Sequence, residues 1–141
     1  MSGKTSKIHC QILTPVAGVA DVRAFEVVLP VHDGLMGVLP GHAPMLCNLG
    51  VGLLRLRDSE DNLRTYYIEG GFGHICDNEV SILTHKALTA DDVTVADMQE
   101  RLVEAQILPS DTLEQVEART AAIQQAKQLL ILAKRENAHS R

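Results

Sequence analysis

Short apolar runs separated by turn residues fill the first two thirds of the chain. In Leu54–Arg57, leucine and arginine alternate, and this period of two is typical of a strand with one face in water. Glycine, proline, aspartate and asparagine interrupt the runs, which favours hairpins between them. Strands are predicted at residues 8–13, 22–29, 45–49, 53–57, 64–68, 72–76 and 79–84. We therefore expect an antiparallel β-sandwich or a flattened barrel over residues 5–87.

The spacing of apolar residues becomes helical after residue 87. Intervals of three and four separate Val95, Met98, Leu102 and Ala105. Asp91 and Asp92 precede this stripe, and their carboxylates are suited to accept hydrogen bonds from the free N–H groups of a first turn. Pro109 lies just beyond the expected end. The pattern predicts a short amphipathic helix.

A second helix is predicted from residue 111 onward, because Asp111 and Glu114 have the spacing of a capping box. One side of it carries a sparse row of Leu113, Val116, Thr120, Ile123, Lys127 and Leu130. Its last turns are apolar nearly all round, with Leu129, Ile131 and Leu132. The two helices are expected to form an antiparallel hairpin.

The predicted fold is therefore α+β, with an N-terminal antiparallel β-sandwich domain at 1–87 and a C-terminal antiparallel two-helix hairpin at 88–141. A hairpin of this size has little interior of its own, so it must pack on another surface to offset its ordering entropy. Two interpretations stay open: a permanently packed pair of helices, or a mobile regulatory element.

The segment Gly34–Pro44 joins turn residues to apolar side chains. Its glycines permit positive φ, and its two prolines fix φ and hold the preceding residues extended. We expect a stiff loop that exposes Leu35 and Met36 and carries His42 between the prolines. It is either a contact surface for a partner or an ordinary type II turn at Pro40–Gly41 with His42 as a bystander.

Length and charge restrict the class of protein. The 141 residues are enough for one modest core and an appendage. A formal net charge of −5 argues against a nucleic-acid partner and against direct attraction to anionic lipid. The three cysteines are odd in number and widely spaced, which predicts neither a disulfide framework nor a zinc ribbon and fits a reducing cytosol.

The start of the chain lacks the apolar core of a signal peptide, and no run of 18 apolar residues occurs. We therefore expect no direct membrane insertion; any membrane association would come through a protein partner.

The sequence offers no recognisable catalytic centre. It contains no GxSxG, Walker A or HExxH motif. His74 and Cys76 form an alternate-residue pair on one strand, but two further ligands at zinc spacing are missing. We expect no catalytic residue, no metal site and no cofactor.

Several motifs together resemble the epsilon subunit of bacterial F-type ATP synthase. They are the Leu39–Pro44 segment (LPGHAP), Gly50–Gly52 (GVG), Tyr67–Phe72 (YIEGGF) and Asn78–Leu83 (NEVSIL). Their order and spacing, and a sandwich followed by a helical hairpin, agree with that family over essentially the whole chain.

The resemblance implies a non-catalytic rotor subunit of the F1 sector that couples ion flow to ATP synthesis. In the family, the sandwich binds the gamma subunit and rests on the ring of membrane c subunits. Carried onto this sequence, the c-ring contact falls on Leu35, Met36, His42, Ala43 and Pro44. Some relatives have an acidic residue where Leu35 stands, so we expect a contact that depends on apolar packing more than on charge. The expected location is the cytoplasmic face of the bacterial inner membrane, as a peripheral part of the complex.

The resemblance also implies that the C-terminal helices restrain ATP hydrolysis by contacting the alpha and beta subunits. The basic residues expected to make those contacts are Lys127, Lys134 and Arg135. The alternative is that these charges only solvate the helix and complement its dipole.

Some family members bind ATP through an Ile-Asp-x-x-Arg-Ala motif. The aligned residues Val93–Met98 lack both charged positions, so we expect no useful ATP affinity. Without the resemblance, a free-standing adaptor module with a β-sandwich would be the preferred interpretation.

Overall fold

The computed structural model describes the backbone of residues 7–139 and the side chains of residues 7–134. The strands are β1 (Ile8–Leu13), β2 (Gly18–Val31), β3 (Gly34–Val38), β4 (Met45–Asn48), β5 (Val51–Asp58), β6 (Leu63–Glu69), β7 (Phe72–Cys76), β8 (Glu79–Leu83) and β9 (Ala87–Leu88). A 3₁₀ turn at Ala90–Asp92 precedes helices α1 (Val95–Gln106) and α2 (Leu113–His139). The chain divides into two compact units, Met1–Ala87 and Leu88–Arg141.

The long strand β2 joins the parts of the first unit. Its first half pairs with β1, and its second half pairs with β3 on one side and with β5 on the other. The register shifts between Ala24 and Glu26, where a bulge lets the strand bend. The sheet order is β4-β7-β8-β1-β2-β5-β6-β9, with β3 added on β2.

The core of the first unit follows from the alternation of side chains along the strands. In β1, Ile8, Cys10 and Ile12 are fully buried, and the residues between them are partly exposed. The core cluster continues with Ala24, Val27, Leu29, Val38, Cys47, Leu49, Leu54, Leu56, Tyr66, Ile68, Ile75, Val80 and Ile82. The apolar pattern thus identified the strands and the inward faces of most of them.

The predicted strands are all present, and three features differ from the prediction. Gly34–Val38 is a strand paired with β2 rather than loop. Ala87–Leu88 forms an additional short strand. β1 and β8 pair in parallel, so the sheet is not entirely antiparallel.

Both helix starts lie later than the sequence predicted. Asp91 and Asp92 lie in the 3₁₀ turn, and the cap of α1 is Thr94, whose side chain accepts from Asp97 N at 3.1 Å. In α2, Gln115 N donates to Thr112 Oγ1 at 3.1 Å, and Thr112 N donates to Gln115 Oε1 at 3.2 Å. This reciprocal pair is a capping box one residue later than Asp111 and Glu114.

The buried side of α2 also differs from the predicted row. Leu113 is 74% exposed, and Lys127 is exposed. Among the side chains of α2 that the structure describes, up to residue 134, the fully or largely buried ones are Ala126, Leu129, Leu132 and Ala133. Two of these four are alanines. The predicted row depends on large apolar side chains, so it does not include them. The predicted stripe of α1 agrees better with the structure, because two of its four residues, Met98 and Ala105, are buried.

One arginine of α2 hydrogen-bonds to the C-terminal end of α1 and so joins the two helices. Arg119 Nε and Nη2 donate to the carbonyl oxygen of Gln106 at 3.1 and 3.0 Å. Gln106 is the last residue of α1, so this carbonyl has no acceptor role inside the helix. Arg119 therefore caps α1 and holds the second unit together as a hairpin.

Asp58 organises the turn between β5 and β6. It is 2% exposed, and it accepts hydrogen bonds from Glu60 N, Asn62 N and Arg64 Nε, each at 2.9 Å. Burial acts to raise the pKa of this carboxyl, but the hydrogen bonds and the Arg64 charge outweigh it, so the pKa lies below its usual value. The ionised form is the one that the fold stabilises.

We predict that Asp58→Asn lowers the free energy of unfolding of the full chain by about 1–2 kcal/mol near neutral pH, because one acceptor oxygen and the charge are lost. Since the folded pKa is depressed, the wild-type contribution is present above the unfolded pKa of about 3.9 and is lost as the pH falls through the folded value. Urea denaturation at several pH values measures both effects.

Asp61→Asn is the matched control, since Asp61 lies in the same turn at φ 66° and its side chain makes an exposed ion pair with Arg57. Asparagine tolerates that backbone, so little change is expected. Equal acid sensitivity in wild type and Asp58→Asn would contradict the role given to Asp58.

Candidate partner-binding surfaces

The segment Gly34–Pro44 begins as a strand, and the pairing sets which side chains it exposes. Met36 lies opposite Leu29, and Leu35 lies opposite Pro30. Along β3 the side chains alternate, so Val38 is buried and Met36 packs partly against the core, while Leu35 is 69% exposed. The expectation of an exposed Met36 is wrong, because Met36 shares the inward face with Val38. Leu39, 57% exposed, follows Leu35 on the outward side.

The Pro40–Gly41 turn has the features of type II. His42 N donates to Leu39 O at 3.1 Å, and Gly41 has φ +87°, as the third residue of such a turn requires. The His42 side chain is half-buried, and its Nδ1 lies 2.7 Å from the carbonyl oxygen of Ala43. Ala43 and Pro44 are exposed. The ordinary-turn interpretation is thus correct for the backbone, and the turn still presents a stiff outward surface.

We call the outward residues Leu35, Leu39, His42, Ala43 and Pro44 the loop surface. It holds four of the five residues predicted for the c-ring contact; Met36 falls on the other face of β3. The other predicted contact residues lie in the second unit. Lys127 and Lys134 are exposed and are separated by two helical turns, so they share one side of α2. The Arg135 side chain lies outside the described residues.

A second apolar surface, missed by the sequence reasoning, lies across the neighbouring strands β1, β8 and β7. Leu83 is opposite Leu13 in one pairing and opposite Phe72 in the other, so the three side chains form one row on the outer face. Leu13 is 37% exposed, Leu83 is 54% exposed and Phe72 is 52% exposed. We call these three residues the apolar row. The row could be found only from the strand register, which the sequence does not give.

The apolar row lines an open cavity of about 320 Å³. Its other lining residues are Thr14, Pro15, Gly71, Thr84 and His85. Gly71 has φ +105°, and a Cβ at this position would lie 1.9 Å from the carbonyl oxygen of Leu83. Only glycine allows this close approach of the two strands. The cavity is lined mainly by carbon and has the character of a docking surface rather than of a catalytic pocket.

The titratable groups offer no reactive centre among the described residues. Burial raises the pKa of the Cys10 thiol to about 12, and burial also raises the pKa of Cys47. The charge of Asp77 raises the pKa of Cys76. Raised values keep all three as thiols, which are poor nucleophiles.

Metal-ligating groups are likewise dispersed. Within residues 7–134, no three His, Cys, Asp or Glu side chains lie close enough to hold a metal ion. His74 and Cys76 do point to the outer face of β7, as their spacing predicted, but without further ligands. Among the helices of the described chain, none has the length and apolar character needed to cross a membrane. The features that stand out among the described residues are therefore two exposed apolar surfaces on one β-sandwich.

Comparison with known proteins identifies the family. Residues 7–90 match the family model described as "ATP synthase, Delta/Epsilon chain, beta-sandwich domain". The ATP synthase epsilon chain of Rhodopirellula baltica is 38% identical over 120 residues, which cover 85% of this chain and 93% of the relative. The epsilon chain of Leptospira interrogans is 29% identical over 130 residues, or 92% and 98% of the two chains.

Two solved structures share the fold. A chain of the Euglena gracilis mitochondrial ATP synthase, in a structure of OSCP, F1 and c-ring, superposes with a TM-score of 0.69 at 22% identity and covers 96% of this chain and 82% of that one. A chain of the Tetrahymena thermophila mitochondrial ATP synthase central stalk and c-ring gives 0.62 at 16% identity, with 88% and 96% covered.

This chain belongs to the ATP synthase delta/epsilon chain family. It is a non-catalytic stalk subunit of the F1 sector of ATP synthase, and the prediction of an epsilon-type rotor subunit is confirmed. The adaptor and enzyme alternatives are thereby set aside.

We predict that Gly71→Ala destabilises the first unit by at least about 2 kcal/mol, because the new Cβ would meet the Leu83 carbonyl and glycine's positive φ would be strained. Gly37→Ala is the matched control, since nothing lies within 4 Å of a Cβ there and its φ is not positive. Thermal unfolding of the two variants compares them directly. Equal stability of the two would refute the close approach at Gly71.

Proposed function

We propose that the loop surface rests on the c-ring and that the apolar row contacts the gamma subunit, so that this chain couples the two parts of the rotor. The observation that carries the proposal is the presence of two exposed apolar surfaces on a rigid β-sandwich of the epsilon family. The solved relatives come from assemblies described as containing a c-ring or a central stalk with c-ring, which supports these partners. The proposed location is accordingly the cytoplasmic face of the bacterial inner membrane.

The chemistry of the loop surface favours an apolar contact. Leu35 and Leu39 project from backbone that is fixed by pairing with β2 or by the turn, so little conformational entropy is lost when a partner covers them. The only titratable side chain among the five residues of the surface is that of His42. Retention of the subunit should therefore depend weakly on salt.

The apolar row offers a second exposed surface to a neighbouring stalk subunit. Leu13, Leu83 and Phe72 come from three strands that hydrogen-bond to one another, so their relative positions are fixed. Phe72, an aromatic residue at the end of the row and beside the open cavity, is a typical anchor point for a partner side chain. The gamma subunit, which the family's sandwich binds, is the proposed occupant.

We also propose that the second unit restrains ATP hydrolysis. The exposed Lys127 and Lys134 lie on one side of α2, and we assign to them the contact with acidic segments of the alpha or beta subunits. Arg135 continues the basic group in the sequence.

We predict that Leu35→Asp weakens retention of the subunit on the purified ATP synthase complex, because a carboxylate would be desolvated against an apolar partner. The fraction that remains bound after extended dilution measures this, and a loss of about tenfold or more in affinity is expected. Leu63→Asp is the control, since Leu63 is a strand leucine of similar exposure, 52%, outside the loop surface. Equal retention of the two variants would refute the loop contact.

We predict that truncation after Ile107, which removes α2, raises ATP hydrolysis by the assembled complex while the subunit stays bound. Replacing Lys127 and Lys134 by glutamine should raise hydrolysis to a smaller extent, because the helix stays and only its charges are lost. Steady-state ATPase assays on complexes checked for subunit content measure both. If hydrolysis is unchanged in the truncated complex, the hairpin is a structural tail without a regulatory role. If truncation raises hydrolysis but the glutamine variant does not, the restraint does not depend on the charges of Lys127 and Lys134.

A further inference from the structure

The turn that carries His42 is not fully determined by its own sequence. Proline at the second position suits type I and type II turns alike, since both need φ near −60° there. The two types differ by roughly 150° in ψ at that residue, which rotates the peptide between Pro40 and Gly41. Glycine at the third position accepts either sign of φ at little steric cost. The Pro-Gly pair favours type II, and a contact from outside the turn can add to this preference by holding the peptide in that one orientation.

Asn78 is placed to make such a contact. Its side-chain Oδ1 accepts a hydrogen bond from Gly41 N at 2.7 Å, from a position 37 residues further along the chain. The Gly41 N–H belongs to the peptide whose orientation distinguishes the two turn types. Rotation of that peptide to the type I orientation would turn the N–H away from Asn78.

Asn78 is itself held firmly. Asp77 and Asn78 form the turn between β7 and β8, with φ 51° and 63°, a left-handed pair typical of a tight hairpin turn. The carbonyl oxygen of Asn78 accepts from His9 N at 2.8 Å, which ties this turn to β1. The anchor for Gly41 is thus connected to two strands of the sheet, and asparagine is one of the few non-glycine residues that accept this backbone.

We propose that Asn78 is a positioning residue for the loop surface: its hydrogen bond to Gly41 N fixes the type II orientation in which His42, Ala43 and Pro44 are presented to a partner. This inference rests on the proposed c-ring contact of the loop surface. Without the bond, only the preference of the Pro-Gly pair holds the Pro40–Gly41 peptide, so the share of the type II orientation falls and the affinity for the partner falls with it.

Three variants distinguish the effect of losing the Asn78 side-chain acceptor from the effect of changing the backbone of its turn. Asn78→Gly keeps the positive φ and removes only the acceptor. Asn78→Asp keeps an acceptor oxygen on a residue that also tolerates positive φ, so it serves as the rescue. Asp77→Gly removes the neighbouring side chain of the same turn and controls for a general loosening of that turn.

The first readout is hydrogen exchange of the Gly41 amide in the full chain, followed by NMR. Asn78→Gly should accelerate this exchange about 3- to 10-fold, whereas Asn78→Asp and Asp77→Gly should stay near the wild type. The Leu56 amide in β5 reports on global opening in the same samples. The proposal is overturned if Asn78→Gly leaves the exchange rate of the Gly41 amide unchanged. It is also overturned if the exchange rates of the Gly41 and Leu56 amides rise by the same factor.

The second readout is the rate at which the subunit leaves the assembled ATP synthase after dilution. Asn78→Gly should raise this rate about threefold, with Asn78→Asp close to the wild type. If Asn78→Gly frees the Gly41 amide without faster release, while Leu35→Asp does cause faster release, the loop contact stands and the positioning role is refuted. If neither variant alters release, the loop contact fails and the positioning role fails with it.

Discussion

The bent strand β2 is the constraint on which the rest of the first unit depends. Its first half holds β1, and its second half holds β3 and β5, so one strand of 14 residues fixes the relative positions of most of the sheet. Through β3 it places Leu35 outward and Met36 inward. Through β1 it positions β8 and β7, which carry the apolar row. Both candidate binding surfaces are therefore connected to β2, the loop surface directly through β3 and the apolar row through β1, β8 and β7 in turn.

A stalk subunit depends on the fixed positions of its surface side chains rather than on reactive groups. The cysteines are held as thiols by burial or by a neighbouring carboxylate, and the ion pair between Asp58 and Arg64 stabilises a turn. Apolar side chains on paired strands lose little freedom when a partner covers them, which makes rigid strands suitable for surfaces that must hold under load. The helical hairpin is held differently, by buried alanines and leucines and by the Arg119 cap on α1, and it forms a separate compact unit.

Sequence patterns predicted the strands well because short apolar runs bounded by turn residues can be recognised without knowledge of their partner strands. They failed where the determining contact is distant or small. β3 looked like loop because glycine occupies two of its five positions, and Met36 could be oriented only through its pairing with Leu29. The buried side of α2 was misjudged because alanines, rather than large apolar residues, occupy half of it. The apolar row and the Asn78–Gly41 bond join residues far apart in sequence, so only the register could reveal them.

We propose that two apolar surfaces of one β-sandwich hold this subunit in the rotor. An electron cryo-microscopy map of the purified complex that contains this chain would show both contacts. We expect one copy per complex, with polar loops of the c-ring against Leu35 and His42 and a gamma-subunit side chain in the cavity beside Phe72 and Leu83. A map in which either surface faces solvent in every rotational state would refute the proposed contact at that surface.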